Sequence, residues 1–109
     1  MCGIFSYISY IDNPSTLSDQ DCENIGDMIK HRGPDQTNQY RNEKDRHLVH
    51  LVFHRLRIND LSQKGMQPFV VDDVVLLCNG EIFNHREIES VYQLECESSS
   101  DCECLIRLY

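Results

Sequence analysis

Residues 3–11 of this 109-residue chain alternate loosely between apolar and small polar side chains, with Ile4, Ile8 and several aromatics. That pattern predicts a β-strand beginning almost at the terminus. Chain ends ordinarily fray, but a strand that starts at residue 3 fixes residue 2 in space, and residue 2 is a cysteine. Removal of Met1 would leave Cys2 carrying a thiol and a free α-amine on one residue. Such an amine titrates near ~8, against ~10.4 for a lysine side chain. It can therefore act as a base close to neutral pH, a recognised way to activate a weak nucleophile. The same start is equally that of an inert processed terminus, unless the chain supplies partners for a reacting carbonyl.

The rest of the sequence predicts an α+β fold. Ser18 opens a helix whose Asp19 and Asp21 suit the positive end of the dipole. Cys22, Ile25, Met28 and Ile29 form its apolar stripe, Lys30, His31 and Arg32 sit near its end, and Gly33-Pro34 stops it. Residues 36–46 are polar and predict a loop with a short strand around Tyr40. Residues 48–53 predict a second strand, and a turn-rich stretch runs from Arg57 to Pro68. A further strand over 69–78 is broken at Asp72-Asp73, with Val74 to Cys78 buried on both faces. Asn84 and Glu87 have capping-box spacing at the head of a helix with Ile88, Val91 and Tyr92 inward. Ser100-Asp101-Cys102-Glu103 is a second capping box, opening a helix with Cys104, Leu105 and Leu108 inward. The order predicts a mixed sheet with helices packed on it, in one domain at most.

Charge and cysteine usage narrow the function. Eighteen acidic residues against ten basic give a net charge of −8. That disfavours nucleic acid, whose binding depends on cations that neutralise phosphate, and it disfavours an anionic membrane surface. No apolar run approaches the ~18 residues that span a bilayer. Residues 1–11 lack the basic and apolar regions of a secretory signal, so the six cysteines read as reduced thiols of a cytoplasmic protein. Cys102-Glu103-Cys104 has no second pair at zinc-site spacing, and no metal is expected.

An amide-cleaving nucleophile needs oxyanion donors and a substrate anchor. Asn79-Gly80 at a strand end offers a side-chain amide and a backbone N–H with no Cβ in the way; the dipeptide is also the commonest hairpin turn. Arg55 follows a strand and suits a bidentate grip on a carboxylate, or is a surface arginine like Arg57. Asp101 suits an ammonium group, or is a stabilising acid in the first turn of a helix. His31-Arg32-Gly33-Pro34-Asp35 is a helix end with a rigid corner. His47, His50, His54 and His85 lack ligand spacing and read as structural or surface residues.

Taken in order, Met-Cys-Gly-Ile-Phe, HRGPD, FHRLRIND followed by GMQPF, CNGEIFNHREI and SSSDCE resemble the glutaminase domain of class II glutamine amidotransferases. Within that superfamily HRGPD and NGEIFNH look most like the glutamine-hydrolysing asparagine synthetases. The resemblance implies a fold of the N-terminal-nucleophile type, a four-layer αββα sandwich, of which residues 1–109 would be about the first half. It implies Cys2 as nucleophile and Asn79 with Gly80 as oxyanion hole. Arg55 would hold the α-carboxylate of L-glutamine. Leu56, Arg57, Ile58 and Asn59 would line the pocket, largely through backbone, and Glu81 and Asp101 would receive the α-ammonium. ATP and magnesium would belong to a synthetase domain or subunit that these residues lack. The alternative is a noncatalytic or partner-dependent glutamine-binding module.

Overall fold

The computed structural model describes residues 1–109. It is α+β, and the chain divides into two compact units, Met1–Leu56 and Arg57–Tyr109.

The first unit contains β1 (Gly3–Tyr10), α1 (Asp19–Asp27), β2 (Gln36–Lys44) and β3 (His47–Arg55). The three strands form one antiparallel sheet in the order β1-β3-β2. Gly3 pairs with His54 and Tyr10 with His47 on one side of β3; Gln36 pairs with Arg55 and Lys44 with His47 on the other. The alternating N-terminal segment is thus a strand, and it is anchored along its whole length. The second strand is longer than its apolar run, because both neighbours hold its ends.

Residues 36–46, expected to be mostly loop, are instead the nine-residue strand β2 and a turn. β2 is an edge strand exposed along most of its length, so it has no apolar period to read. Its main-chain ladder with β3 makes it a strand, and its Arg41, Glu43 and Lys44 suit an unpaired edge. The turn at Asp45-Arg46 has positive φ at both residues, which matches the twist of a tight hairpin.

Ser18 opens α1 as expected. Its hydroxyl accepts from the Asp21 N–H while the Asp21 carboxylate accepts from the Ser18 N–H. The buried face differs from the expected stripe. Cys22 and Gly26 are buried, whereas Ile25 and Met28 are exposed. Gly26 explains this: a Cβ there would lie 3.1 Å from Val52, so the helix sits on β3 through its smallest residue. α1 stops at Asp27, and Lys30–Arg32 form a separate short 3-10 turn. Val52 and Phe53 are almost wholly buried, each worth about 1.5–3 kcal/mol over exposure.

The second unit contains β4 (Phe69–Val71), β5 (Val74–Leu76), α2 (His85–Tyr92) and α3 (Glu103–Leu108). β4 and β5 form an antiparallel hairpin that turns at Asp72-Asp73, as expected. Both sheets are therefore antiparallel, not mixed. Val74 to Cys78 are half-buried and the strand ends at Leu76, because a two-stranded sheet has no further neighbour to cover it. The core is Phe69, Cys102 and Ile106, with Val71, Val74, Leu76 and Cys78 against it.

Neither expected capping box forms here. Asn84 precedes α2 without a side-chain cap bond. Glu103 turns its carboxylate back to the Glu97 and Ser98 N–H groups, and the Ser100 N–H goes to the Ser98 hydroxyl. The inward faces also shift. Val91, Tyr92 and Leu108 are exposed, while Cys104 and Ile106 are buried, because α3 is the helix that packs on the hairpin and α2 packs on α3.

Candidate active site

Cys2 lies one residue before β1, so the Gly3–His54 pairing sets its position. Its thiol reaches the main chain just past β3. The Leu56 N–H donates to Sγ at 3.4 Å, and the S–H faces the Leu56 carbonyl at 3.8 Å. The Arg32 Nε donates to the Cys2 carbonyl at 3.2 Å. Met1 is exposed, so its bond to Cys2 is open to a processing enzyme.

The HRGPD turn rests directly on the end of β3. A Cβ on Gly33 would lie 2.0 Å from the His54 carbonyl oxygen and 2.7 Å from the Arg55 carbonyl carbon. No side chain fits there, which accounts for the glycine. The Asp35 N–H donates to the Arg55 carbonyl at 3.1 Å. Arg55 is only 4% exposed, a buried cation at the strand end beside Leu56 and not a surface arginine. His54 is structural, as expected: its ring bonds the Gly26 carbonyl at 2.9 Å and the Thr37 hydroxyl at 2.8 Å. His50 is likewise buried, against the Gln39 side chain.

In the second unit, Asp101 is 5% exposed. The Asn59 side-chain amide donates to one of its oxygens at 3.1 Å, and the Ile82 N–H to the other at 2.7 Å. These bonds join the loops carrying Asn59 and Glu81 to the segment before α3. Each carboxylate oxygen keeps a lone pair for a further donor. The loops are braced by two more buried acids. Asp60 accepts from the Ser62 and Ser99 N–H groups at 2.6 and 2.7 Å. Glu103 accepts from Glu97, Ser98 and Arg107. Burial pushes the Glu103 carboxyl up, but those donors more than reverse it, and the net shift is down.

Asn79 and Gly80 follow β5, and both are exposed. Nothing lies within 4 Å of where a Gly80 Cβ would stand, so that side of the peptide is open. Glu81, Ile58 and Asn59 are exposed as well, and Arg57 is half-buried. Two thiols of the second unit are disfavoured as thiolates. Burial raises Cys102, aided by a hydrogen bond with Cys78, and burial with the nearby Glu103 and Glu89 raises Cys96 to about 11. All six cysteines are free.

Cys2 and Leu56 thus meet in the first unit, and Asn59 and Asp101 in the second. Sequence reasoning missed Arg32, Asp60 and Glu103 as supports. HRGPD, RLRIND and SSSDCE contain them, but local rules assign no role to a side chain that bonds main chain 30 or 39 residues away, as Arg32 and Asp60 do, and they read Glu103 as a cap where it bonds the Glu97 and Ser98 N–H groups instead.

Comparison with known proteins bears on the same residues. The family described as "Glutamine amidotransferase domain" matches residues 1–109. A probable glutamine-hydrolysing asparagine synthetase of Acanthamoeba polyphaga mimivirus is 36% identical over 110 residues, covering all of this chain and 20% of that protein. Asparagine synthetase (glutamine-hydrolysing) 2 of Bacillus subtilis is 34% identical over 117 residues, again covering the whole chain and 14% of that protein. Amidase chry2 of Gibberella zeae is 31% identical over 121 residues, with 18% of that protein covered. The chain therefore spans a fifth or less of the length of these relatives. No solved structure matches it significantly. With a cysteine fixed ahead of its first strand and a family match along its full length, the chain belongs to the glutamine amidotransferase domain family.

Proposed function

We propose that this chain is the glutamine-hydrolysing portion of an asparagine synthetase-type amidotransferase. The observation that carries the reading is the Cys2 sulfur, held at the head of β1 against the Leu56 main chain. Once Met1 is removed, the Cys2 amine takes the thiol proton and the sulfur attacks the side-chain carbonyl of glutamine. Asn79 and Gly80 donate to the tetrahedral oxyanion. The C–N bond breaks, ammonia leaves with the proton returned by the amine, and a thioester remains on Cys2. Water then cleaves the thioester to glutamate and restores the thiol. Arg55 anchors the α-carboxylate, Glu81 and Asp101 receive the α-ammonium, and the main chain of Leu56, Arg57, Ile58 and Asn59 lines the pocket.

The face of the first sheet opposite α1 carries Ile4, Ile8, Val49, Leu51 and Phe53. Such an apolar face suits packing against a second sheet, as in an αββα sandwich. No three His, Cys, Asp or Glu side chains converge as a metal-holding group. We assign magnesium and ATP to a synthetase domain or subunit, where the ammonia would serve amide synthesis from aspartate. No helix is long and apolar enough to cross a membrane; the reading is a cytoplasmic enzyme.

The test is ammonia release from glutamine by the Met-processed chain, with Cys2→Ala as control and an acid quench to trap a Cys2 adduct by mass. Release that depends on Cys2 is expected. A rate equal to that of Cys2→Ala, with glutamine still bound, would replace the enzyme with a glutamine-binding module.

A further inference from the structure

Gln67 is 5% exposed, and its side chain brackets a single residue. Its Nε2 donates to the Cys78 carbonyl at 3.1 Å, while its Oε1 accepts from the Cys78 N–H at 2.6 Å. A carboxamide is the one uncharged side-chain group that both donates and accepts in this planar arrangement. Here it replaces a strand partner. β5 ends at Leu76, so the main chain of Cys78 has no ladder neighbour, and buried main-chain polar groups need partners. The next two residues are Asn79 and Gly80. The Cys102 thiol faces the Gly80 carbonyl of the same segment at 3.9 Å.

We propose that Gln67 is a positioning residue for the oxyanion donors, fixing the Asn79 and Gly80 peptides by clamping both main-chain groups of Cys78. The proposal rests on the glutaminase reading given above and deepens it. Oxyanion donors act because they are aimed before the charge develops. They stabilise the transition state more than bound glutamine, so loosening them lowers kcat and leaves KM nearly unchanged. No other residue type reproduces the clamp. Gln67→Ala removes both bonds. Gln67→Glu keeps the acceptor but sets a carboxylate oxygen against the Cys78 carbonyl. Once protonated, the carboxyl of that variant would again have one donor and one acceptor.

The experiment compares wild type, Gln67→Ala and Gln67→Glu in Met-processed chain, by steady-state glutaminase kinetics and by amide hydrogen exchange. Gln67→Ala is expected to lower kcat about ten- to a hundredfold, less than the ~10²–10³ for deleting an oxyanion donor outright, with KM within about twofold. The Cys78, Asn79 and Gly80 amides should exchange at least about tenfold faster while β3 amides are unchanged. Gln67→Glu should recover relative to wild type as pH falls and its carboxyl takes a proton. An unchanged kcat overturns the proposal, as does a loss traced wholly to fewer active molecules. If wild type releases no Cys2-dependent ammonia, the glutaminase reading fails by itself, and exchange decides the clamp: unaltered Asn79 and Gly80 amides in either variant refute it.

Discussion

Substitution of Gly33 by alanine should damage the first unit more than any other single-methyl addition. The alanine Cβ would lie 2.0 Å from the His54 carbonyl oxygen and 2.3 Å from the His54 carbonyl carbon. Ordinary contact begins near 3.4 Å, so the turn must retreat by 1.4 Å. β3 cannot yield, because it is laddered to β1 and β2 on both sides. The retreat stretches the 3.1 Å Asp35–Arg55 bond and the 3.2 Å Arg32–Cys2 bond beyond useful length. Each of the two lost bonds costs about 1 kcal/mol, and overpacking against fixed backbone costs about 1–3 kcal/mol, so ~3–5 kcal/mol is expected in all. For a chain of this size that lowers Tm by about 10–25 °C, measured by thermal circular dichroism. Gly80→Ala is the control. Its Cβ meets nothing, its φ is not positive, and its melting should stay within about 1 kcal/mol of wild type. Co-migration of the Gly33→Ala and Gly80→Ala melts would refute the close-packed turn.

Asp101→Asn keeps the shape of the side chain but points an NH2 at one of two donors, Asn59 or the Ile82 N–H. Urea unfolding should register a loss of about 1–3 kcal/mol, and the KM for glutamine should rise with the lost negative charge. The Glu103 carboxyl binds its proton less tightly folded than unfolded, so its stabilising contribution is complete above the ordinary value of ~4.3 and disappears as pH falls through the lower folded value. Acid titration of stability should therefore flatten in Glu103→Gln; an identical acid limb would show that another group governs it. At pH 8, limiting iodoacetamide should label Cys2 well ahead of Cys22, Cys96, Cys102 and Cys104, whose thiols burial holds protonated. Peptide mass mapping reads the order, and equal labelling of Cys96 and Cys2 would contradict it.

The sequence foretold most clearly those features that depend on side-chain period or turn chemistry. β1, β3 and the Asp72-Asp73 turn fall where alternation and turn residues put them. β2 was invisible because an edge strand with both faces wet has no period; its pairing is a property of β3. The helix faces were misjudged because Gly26, silent in any hydrophobic count, is the contact point of α1, and because a helix of six or eight residues buries too little to obey its full stripe. Glu103 read as a cap because of its spacing, yet two amides five and six residues upstream compete for it. The candidate site was legible in motif and not in geometry. Local rules leave Arg55 open as a surface arginine and Asp101 as a first-turn acid, and their burial depends on a strand end and on an asparagine 42 positions away.

The hold on the Cys2 sulfur has an evolutionary consequence. Leu56 meets it with peptide N–H and C=O groups that every residue except proline possesses. Position 56 can therefore drift through almost any amino acid without disturbing the nucleophile. A saturation library there should be nearly flat for reactivity, with proline as the one deep trough, so a site that governs reactivity would leave almost no trace in a comparison of homologous side chains.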